Sequence, residues 1–446
     1  MAHNGSTQPV RIGLVGLGTV GSGVVRILVD SADHITRHAG RPIEVAAAVV
    51  RDPAKERDCT LPAIPISTDI GTISRDPSIT LAALLVGGLE PARSMMVELL
   101  ESGKDVVTAN KALLAEHGPE LFELARRLGR SIAFEAAVAG GIPIVAAIGE
   151  CLAANRIESI RGILNGTSNF ILTRMEEDGS SYAEALALAQ AKGFAEADPS
   201  MDVDGTDATQ KLAILSHLAF GDWVPWKEIP RTGIDTVDID LIRYAAELGY
   251  RIRLVAVARR SNGRLAMRVA PALVKIGTPL AETRGAYNAV SIVGDAVGRM
   301  FFHGLGAGQM PTASAVVADI IDTVVGRTAI TFRTTGLLSA DTPAAKLAGV
   351  DASERHFLRI VVTDRPGVLA RITGILGDHG ISIASVIQHD PIATGAAAAA
   401  ASVPPDVALV IMTHLCPSSA VHEALLSIDR CDAVRGKSVC LGVLDE

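Results

Sequence analysis

The run Gly16-Leu-Gly18-Thr19-Val20-Gly21 lies between a short apolar segment, Val10 to Val15, and a helical pattern beginning at Ser22. Strand, glycine turn and helix in that order constrain the fold more than any other feature of the chain. Gly16 permits a tight turn, Gly18 lets backbone approach a pyrophosphate, and Gly21 allows close packing of helix on strand. Amides at the helix N-terminus would hold the phosphates. A glycine-rich turn without a ligand can be spelled with the same letters, but the strand before it and the helix after it favour a dinucleotide.

The rhythm continues. An apolar strand over 43–50 ends in Arg51-Asp52-Pro53-Ala54-Lys55. An acid at such a strand end takes the ribose hydroxyls, whereas a cation favours a 2′-phosphate. Arg51 and Lys55 therefore point to NADP, while Asp52 keeps NAD open. Strand over 80–86, helix over 91–103, strand over 105–108 and helix over 119–128 follow, then a strand over 131–135. This alternation predicts a Rossmann-type doubly wound parallel sheet. Lys111 stands just beyond a strand's carboxyl end, where such sheets bind ligands. A cation at a helix start is unfavourable for the helix dipole, which argues for a functional role.

A chain of 446 residues is too long for a single core and should form two or three domains. Aromatics are 3% of the sequence and the net charge is −8, with no basic stripe. Neither a nucleic-acid partner nor an anionic membrane is suggested. The five cysteines (Cys59, Cys151, Cys416, Cys431, Cys440) are scattered and never spaced as CxxC, so a reducing cytoplasm is expected. No signal-peptide pattern opens the chain. The longest uncharged apolar stretch in the core, 136–149, is broken by Gly140, Gly141 and Pro143 and falls short of the about 20 residues a membrane span needs.

After the glycines at 140 and 141 the pattern changes to a strand over 156–164, a turn over 165–169 and a helix over 170–177. Then five carboxylates (Glu196, Asp198, Asp202, Asp204, Asp207) crowd before Lys211. Pro199 and Gly205 make the acidic half a loop, with a helix starting near Thr206. Asp207 and Lys211 are four apart and share a face of that helix. Beside the apolar run that follows, such a lysine can have its protonation tuned for acid–base work. Taken alone, the block reads better as a capped helix start with solvated acids and an i,i+4 ion pair, and the motifs around it reverse that balance. Strands over 251–258, 265–273 and 289–293 predict a largely antiparallel sheet covered by helices, suited to a subunit interface. An apolar helix over 315–325 is expected to return to the first domain.

Five segments together resemble one family. Gly16 to Gly21, Thr108-Ala-Asn-Lys111-Ala-Leu-Leu, Gly162-Ile-Leu-Asn-Gly-Thr-Ser-Asn-Phe-Ile-Leu, the Glu196–Lys211 block and Gly306-Ala-Gly308-Gln-Met-Pro-Thr-Ala occur in the order and spacing of homoserine dehydrogenase. The resemblance implies NAD(P)-dependent interconversion of L-aspartate 4-semialdehyde and L-homoserine, a step toward threonine, methionine and isoleucine. It implies Lys211 as the acid–base lysine, Lys111 at the cofactor–substrate junction and Asp207 in support. Glu196 and Asp202 become substrate-binding residues. Gly16, Gly18, Thr19, Val20, Gly21, Arg51, Lys55, Lys111 and Gly308 become cofactor contacts. Glu135, Val138, Gly140 and Ile142 resemble the family's monovalent-cation loop, in which the Glu135 side chain or carbonyl and three further carbonyls would hold sodium.

The last part of the chain orders its elements βαββαβ and resembles an ACT domain, ferredoxin-like in fold, which implies an amino-acid effector such as threonine and pairing between copies. An oligomerisation module without a ligand fits the same pattern. A linker is expected over 335–355 and an alanine-rich mobile loop over 392–405. The resulting division is 1–138 with 306–330 for the NAD(P) domain and 139–305 for the catalytic and dimerisation domain. A linker over 331–355 and an ACT domain over 356–446 complete it, in a homodimer or homotetramer. A regulatory protein that has lost its activity is the competing reading, and intact Lys111, Glu196 and Lys211 argue against it.

Overall fold

The computed structural model describes residues 8–57, 59, 63–261, 263–334, 347, 353–389 and 405–444. Six parallel strands form the first sheet: β1 (Val10–Val15), β2 (Ile43–Val49), β3 (Ile66–Ser67), β4 (Ile79–Leu84), β5 (Asp105–Thr108) and β6 (Ile132–Ala133), in the order β3-β2-β1-β4-β5-β6. That is the Rossmann order expected from the alternation. β1 and β4 bury nearly every side chain, as strands covered by helices on both faces must. Helix Gln309–Val324 lies against helix Thr19–Asp30 and joins the core built on Ile12, Leu14 and Val24 through Ala313, Val316 and Ile320. Gly23 makes this approach feasible, since a Cβ there would sit 2.9 Å from the Ala313 methyl.

The second sheet runs β11-β10-β7-β8-β9-β16-β12-β14-β13. Its first part comprises β7 (Ile157–Ile163), β8 (Tyr250–Ser261), β9 (Arg264–Lys275), β10 (Tyr287–Gly294) and β11 (Gly298–Leu305), paired antiparallel. Its second part is β12 (Ser353–Thr363), β13 (Ile383–Gln388), β14 (Asp406–Thr413) and β16 (Val439–Leu444), also antiparallel, with the short β15 (Cys416–Pro417) on β12. Helices Val368–Asp378 and Ser418–Ile428 pack on it around Leu358, Ile360 and Leu409. This is the βαββαβ order read from the sequence.

The two parts are one sheet. β16 pairs in parallel with β9, Gly442 opposite Ala272 and Leu444 opposite Val274. A bidentate ion pair between Arg268 of β9 and Glu354 of β12 spans the junction, and Gly442 leaves room for its guanidinium. Arg359 of β12 also reaches Asp238, the N-cap of helix Ile239–Glu247, at 2.7 Å.

Several boundaries differ from the sequence reading. The helix expected over 119–128 spans Lys111–Arg127 with Pro119 inside it. The Asn110 carboxamide caps it at Leu113 N, 3.0 Å away, and Leu113, Leu114 and Ala115 are drawn into the core. These gains outweigh the hydrogen bond that proline cannot make. Residues 166–169, expected in a turn, are the first turn of helix Gly166–Asp178, capped by Asn165. The strand expected to reach Glu135 stops at Ala133, and Glu135 opens a 3₁₀ turn. Strand β11 was not anticipated because its half-exposed pattern carries no strong alternation. Residues 331–334, assigned to the linker, complete helix Arg327–Thr334, and β12 already begins at Ser353. The remaining linker residues, apart from Leu347, and the alanine-rich segment up to 404 lie outside the described residues. Among the described residues no helix is long and apolar enough to cross a membrane.

Candidate active site

The glycine turn joins β1 to helix Thr19–Asp30. Gly16 takes φ +101°, a conformation that side-chain-bearing residues rarely adopt, and its N–H bonds the Val49 carbonyl at 2.8 Å. A Cβ on Gly21 would collide with the Gly16 carbonyl, so this glycine is required for the chain to fold back on itself. Gly18 differs: a Cβ there would meet nothing within 4 Å. The fold does not need that glycine, and the space beside it adjoins the amides that open the helix. The residues present fit a dinucleotide phosphate.

From this turn a cleft of about 630 Å³ runs between the two sheets, bordered by Val20, Lys111, Gly140, Lys211, Gly306 and Thr312. The glycine turn and both singled-out lysines therefore meet in one cleft.

Helix Thr206–Phe220 brings Lys211 there. Every residue from Thr206 to His217 is buried. Its N-cap is Gly205 at φ +84°, and the Asp204 carboxylate accepts the Thr206 N–H at 2.7 Å in place of a side-chain cap. One turn in, Asp207 turns inward with Lys211. The Lys211 ammonium donates to Asp207 Oδ2 and to the Leu164 carbonyl, both at 2.7 Å. Lys111, the first residue of its helix, pairs with Asp207 Oδ1 at 2.8 Å. Asn165 Nδ2 donates to Asp207 Oδ2 at 2.9 Å and Asp202 Oδ1 at 2.7 Å, so one carboxamide ties the acids to the end of β7.

Burial drives the Lys211 ammonium below the ordinary lysine range, against the pull of Asp207. Lys111 is held above it, chiefly by Asp207 with lesser help from Asp202 and Glu196. For Asp207 burial opposes ionisation, yet the two lysines outweigh it and hold the carboxyl far below its usual range. Burial raises Asp202. The centre thus holds a firm anion, a firm cation and a lysine that gives up its proton readily.

The other singled-out residues are placed variously. Glu196 is exposed, within electrostatic reach of Lys111. Arg51 and Lys55 are exposed beyond the end of β2. The nearby Asp52 carboxylate accepts the Ala54 N–H at 2.9 Å in a local turn. Gly308, at φ +122°, precedes helix Gln309–Val324. The Glu135 carboxylate accepts the Val145 and Ala146 N–H groups, each at 2.8 Å. Each side-chain oxygen thus accepts one backbone amide, and the Glu135 carbonyl accepts the Val138 N–H at 3.4 Å. Asp319 accepts the Glu135 N–H at 2.9 Å and anchors this loop.

Sequence models support the geometry. The model for homoserine dehydrogenase matches residues 143–321, that for the homoserine dehydrogenase NAD-binding domain 16–135, and that for the ACT domain 356–401. A homoserine dehydrogenase of Pseudomonas aeruginosa is 40% identical over 444 residues, covering 98% of this chain and 99% of that protein. The chain belongs to the homoserine dehydrogenase family. The crystal structure of a homoserine dehydrogenase from Thiobacillus denitrificans superposes with a TM-score of 0.89 at 41% identity, over 98% of this chain and 99% of that one. A hyperthermophilic archaeal homoserine dehydrogenase mutant in complex with NADPH superposes with a TM-score of 0.60 at 28% identity, over 71% of this chain and 97% of that one.

As a homoserine dehydrogenase the chain is an oxidoreductase acting on a CH–OH group, with a cofactor domain and an ACT domain. Four residues of its site escaped the sequence reading: Asn110, Leu164, Asn165 and Asn288. Asn110 and Asn165 stood inside quoted motifs and precede helices, so their capping role was the available signal. Asn110 Nδ2 also holds the Val86 and Gly88 carbonyls at 3.0 and 2.7 Å, fixing one wall of the cleft.

Proposed function

We propose that the chain reversibly reduces L-aspartate 4-semialdehyde to L-homoserine in this cleft, with Lys211 carrying the proton. The observation behind this reading is the state of the Lys211 ammonium. It is buried, borders the cleft, and commits two of its donors to Asp207 and Leu164. An ammonium has three donors, so one is left for a substrate oxygen. Nicotinamide, when bound, supplies or takes the hydride. As negative charge grows on the substrate oxygen, Lys211 donates its proton to it; in the reverse direction neutral Lys211 removes the hydroxyl proton.

Lys111 makes this exchange affordable for the protein. Were Asp207 paired with Lys211 alone, loss of the proton would strand a buried anion. With Lys111 on its other oxygen the carboxylate keeps a partner throughout. Glu196 and Asp202, both within electrostatic reach of Lys111, are assigned to the substrate's own ammonium.

For the cofactor we assign Gly16, Gly18, Thr19, Val20, Gly21, Lys111 and Gly308 to the dinucleotide, and Arg51 and Lys55 to a 2′-phosphate. That favours NADP, as does the NADPH bound by the archaeal relative, with NAD as the alternative. Sodium is assigned to the carbonyls of Glu135, Val138, Gly140 and Ile142. The domains are assigned as 1–138 with 306–330, 139–305 and 356–446, with the end of helix Arg327–Thr334 and the first residues of β12 falling in the segment between. Threonine is assigned as effector of the ACT domain, in a cytoplasmic homodimer or homotetramer.

The test is oxidation of NADPH and of NADH by the purified protein with aspartate semialdehyde, with and without threonine. Turnover faster with NADPH and slowed by threonine is expected. No turnover with either cofactor defeats the proposal.

A further inference from the structure

The Leu164 carbonyl receives a second donor. Asn288, on β10 and completely buried, directs Nδ2 to the same oxygen that Lys211 contacts, at 3.0 Å. Register explains how it gets there. Ala289 pairs with Ile163 of β7, which sets Asn288 beside Leu164, where β7 ends and the Asn165 cap begins. On its other side Asn288 lies opposite Gly304 of β11. The chain then turns through Gly306, which borders the cofactor cleft, and a Cβ there would collide with the Asn288 carboxamide. The carboxamide is thus wedged between the cleft wall and the carbonyl that steadies the lysine.

We propose that Asn288 is a positioning residue for Lys211, acting through the Leu164 carbonyl that both side chains contact. The inference rests on Lys211 as the proton carrier. A carbonyl oxygen has two lone pairs, and here one donor fixes its direction while the other is the reactive ammonium. An acceptor facing an ammonium stabilises the charged form. Asn288 draws on that acceptor, leaving less of it for Lys211 and making the proton easier to release. The charged and titratable groups around Lys211 are Asp207 on its own helix, Lys111 on helix Lys111–Arg127 and Asp202 on the preceding short helix. Removing the carboxamide changes none of these.

The test compares Asn288→Leu and Asn288→Ala with the wild-type enzyme in homoserine oxidation across pH, alongside NADPH affinity by fluorescence. Without the carboxamide the ammonium is favoured, so the rising limb of kcat should move up by about half to one pH unit. The maximum kcat should fall roughly tenfold as the lysine loses its fixed aim, with NADPH affinity unchanged. A limb that stays put or moves down in a folded variant overturns the proposal. If neither variant folds, a crystal structure of the wild-type holoenzyme decides. An Asn288 Nδ2 to Leu164 oxygen distance near 3.0 Å supports the assignment, and loss of that hydrogen bond overturns it. Lys211→Ala separates this from the parent reading. If that variant keeps the wild-type limb, Lys211 is not the proton carrier; if it loses the limb while the Asn288 variants keep theirs, only the positioning role fails.

Discussion

Lys111 and Lys211 approach different oxygens of one carboxylate, Asp207, at 2.8 and 2.7 Å from two different helices. One lysine is shifted up and the other down. A division of labour follows: Lys111 keeps its charge while Lys211 exchanges a proton.

Replacing Lys211 with alanine should lower kcat by about 10²–10⁴-fold, the range for losing a general acid–base group. NADPH affinity, set mainly by the other lobe, should change little. Steady-state kinetics with a fluorescence titration checks both, and near-normal turnover would remove Lys211 from the mechanism.

Asp207→Asn strips both lysines of their shared anion. Breaking a buried pair costs about 3–5 kcal/mol, which urea unfolding should register. Without the carboxylate the neutral form of Lys211 gains ground, so the limb for homoserine oxidation should shift to lower pH. A shift to higher pH would contradict the electrostatics given for this centre.

The glycines of the turn should separate fold from ligand. Gly21→Ala meets the Gly16 carbonyl and should lower the melting temperature. Gly18→Ala meets nothing in the folded chain and should melt normally, yet bind NADPH at least about tenfold more weakly because its methyl fills the phosphate approach. Equal affinity in Gly18→Ala and wild type would place the dinucleotide elsewhere.

His217 sits buried on the Lys211 helix against Trp223, and burial pushes its imidazole down to about 4. Its folded pKa lies below the unfolded value of about 6.5, so it costs nothing above that pH. Its contribution is lost as pH falls from 6.5 toward 4, amounting to roughly 3 kcal/mol. His217→Leu should therefore lose less stability than wild type over that interval in pH-dependent denaturant melts. Parallel losses in the two proteins would show that the imidazole takes up its proton as readily in the folded chain as in the unfolded one.

The parts of this molecule readable from sequence are those written in short-range chemistry. The glycine turn needs six consecutive letters, and Asp207 and Lys211 share a helix face. The βαββαβ order appears as separate apolar runs. Contacts made across the fold were invisible. Lys111 meets Asp207, and Asn288 meets Leu164, only once the sheets are assembled. Pro119 misled for a physical reason: the same residue type marks helix starts and interrupts helix interiors, and only the Asn110 cap with its buried first turn decides between them. The Glu135 side chain likewise could not be assigned before the backbone amides at Val145 and Ala146 were seen to occupy it.

Because Gly442 to Leu444 lie along β9, that strand does not end in a bare row of amides and carbonyls between 272 and 274. An open strand margin recruits foreign strands. The same three residues that help attach the C-terminal module thus also shield that margin from foreign strands, and a chain cut before β16 should leave it open to strand addition.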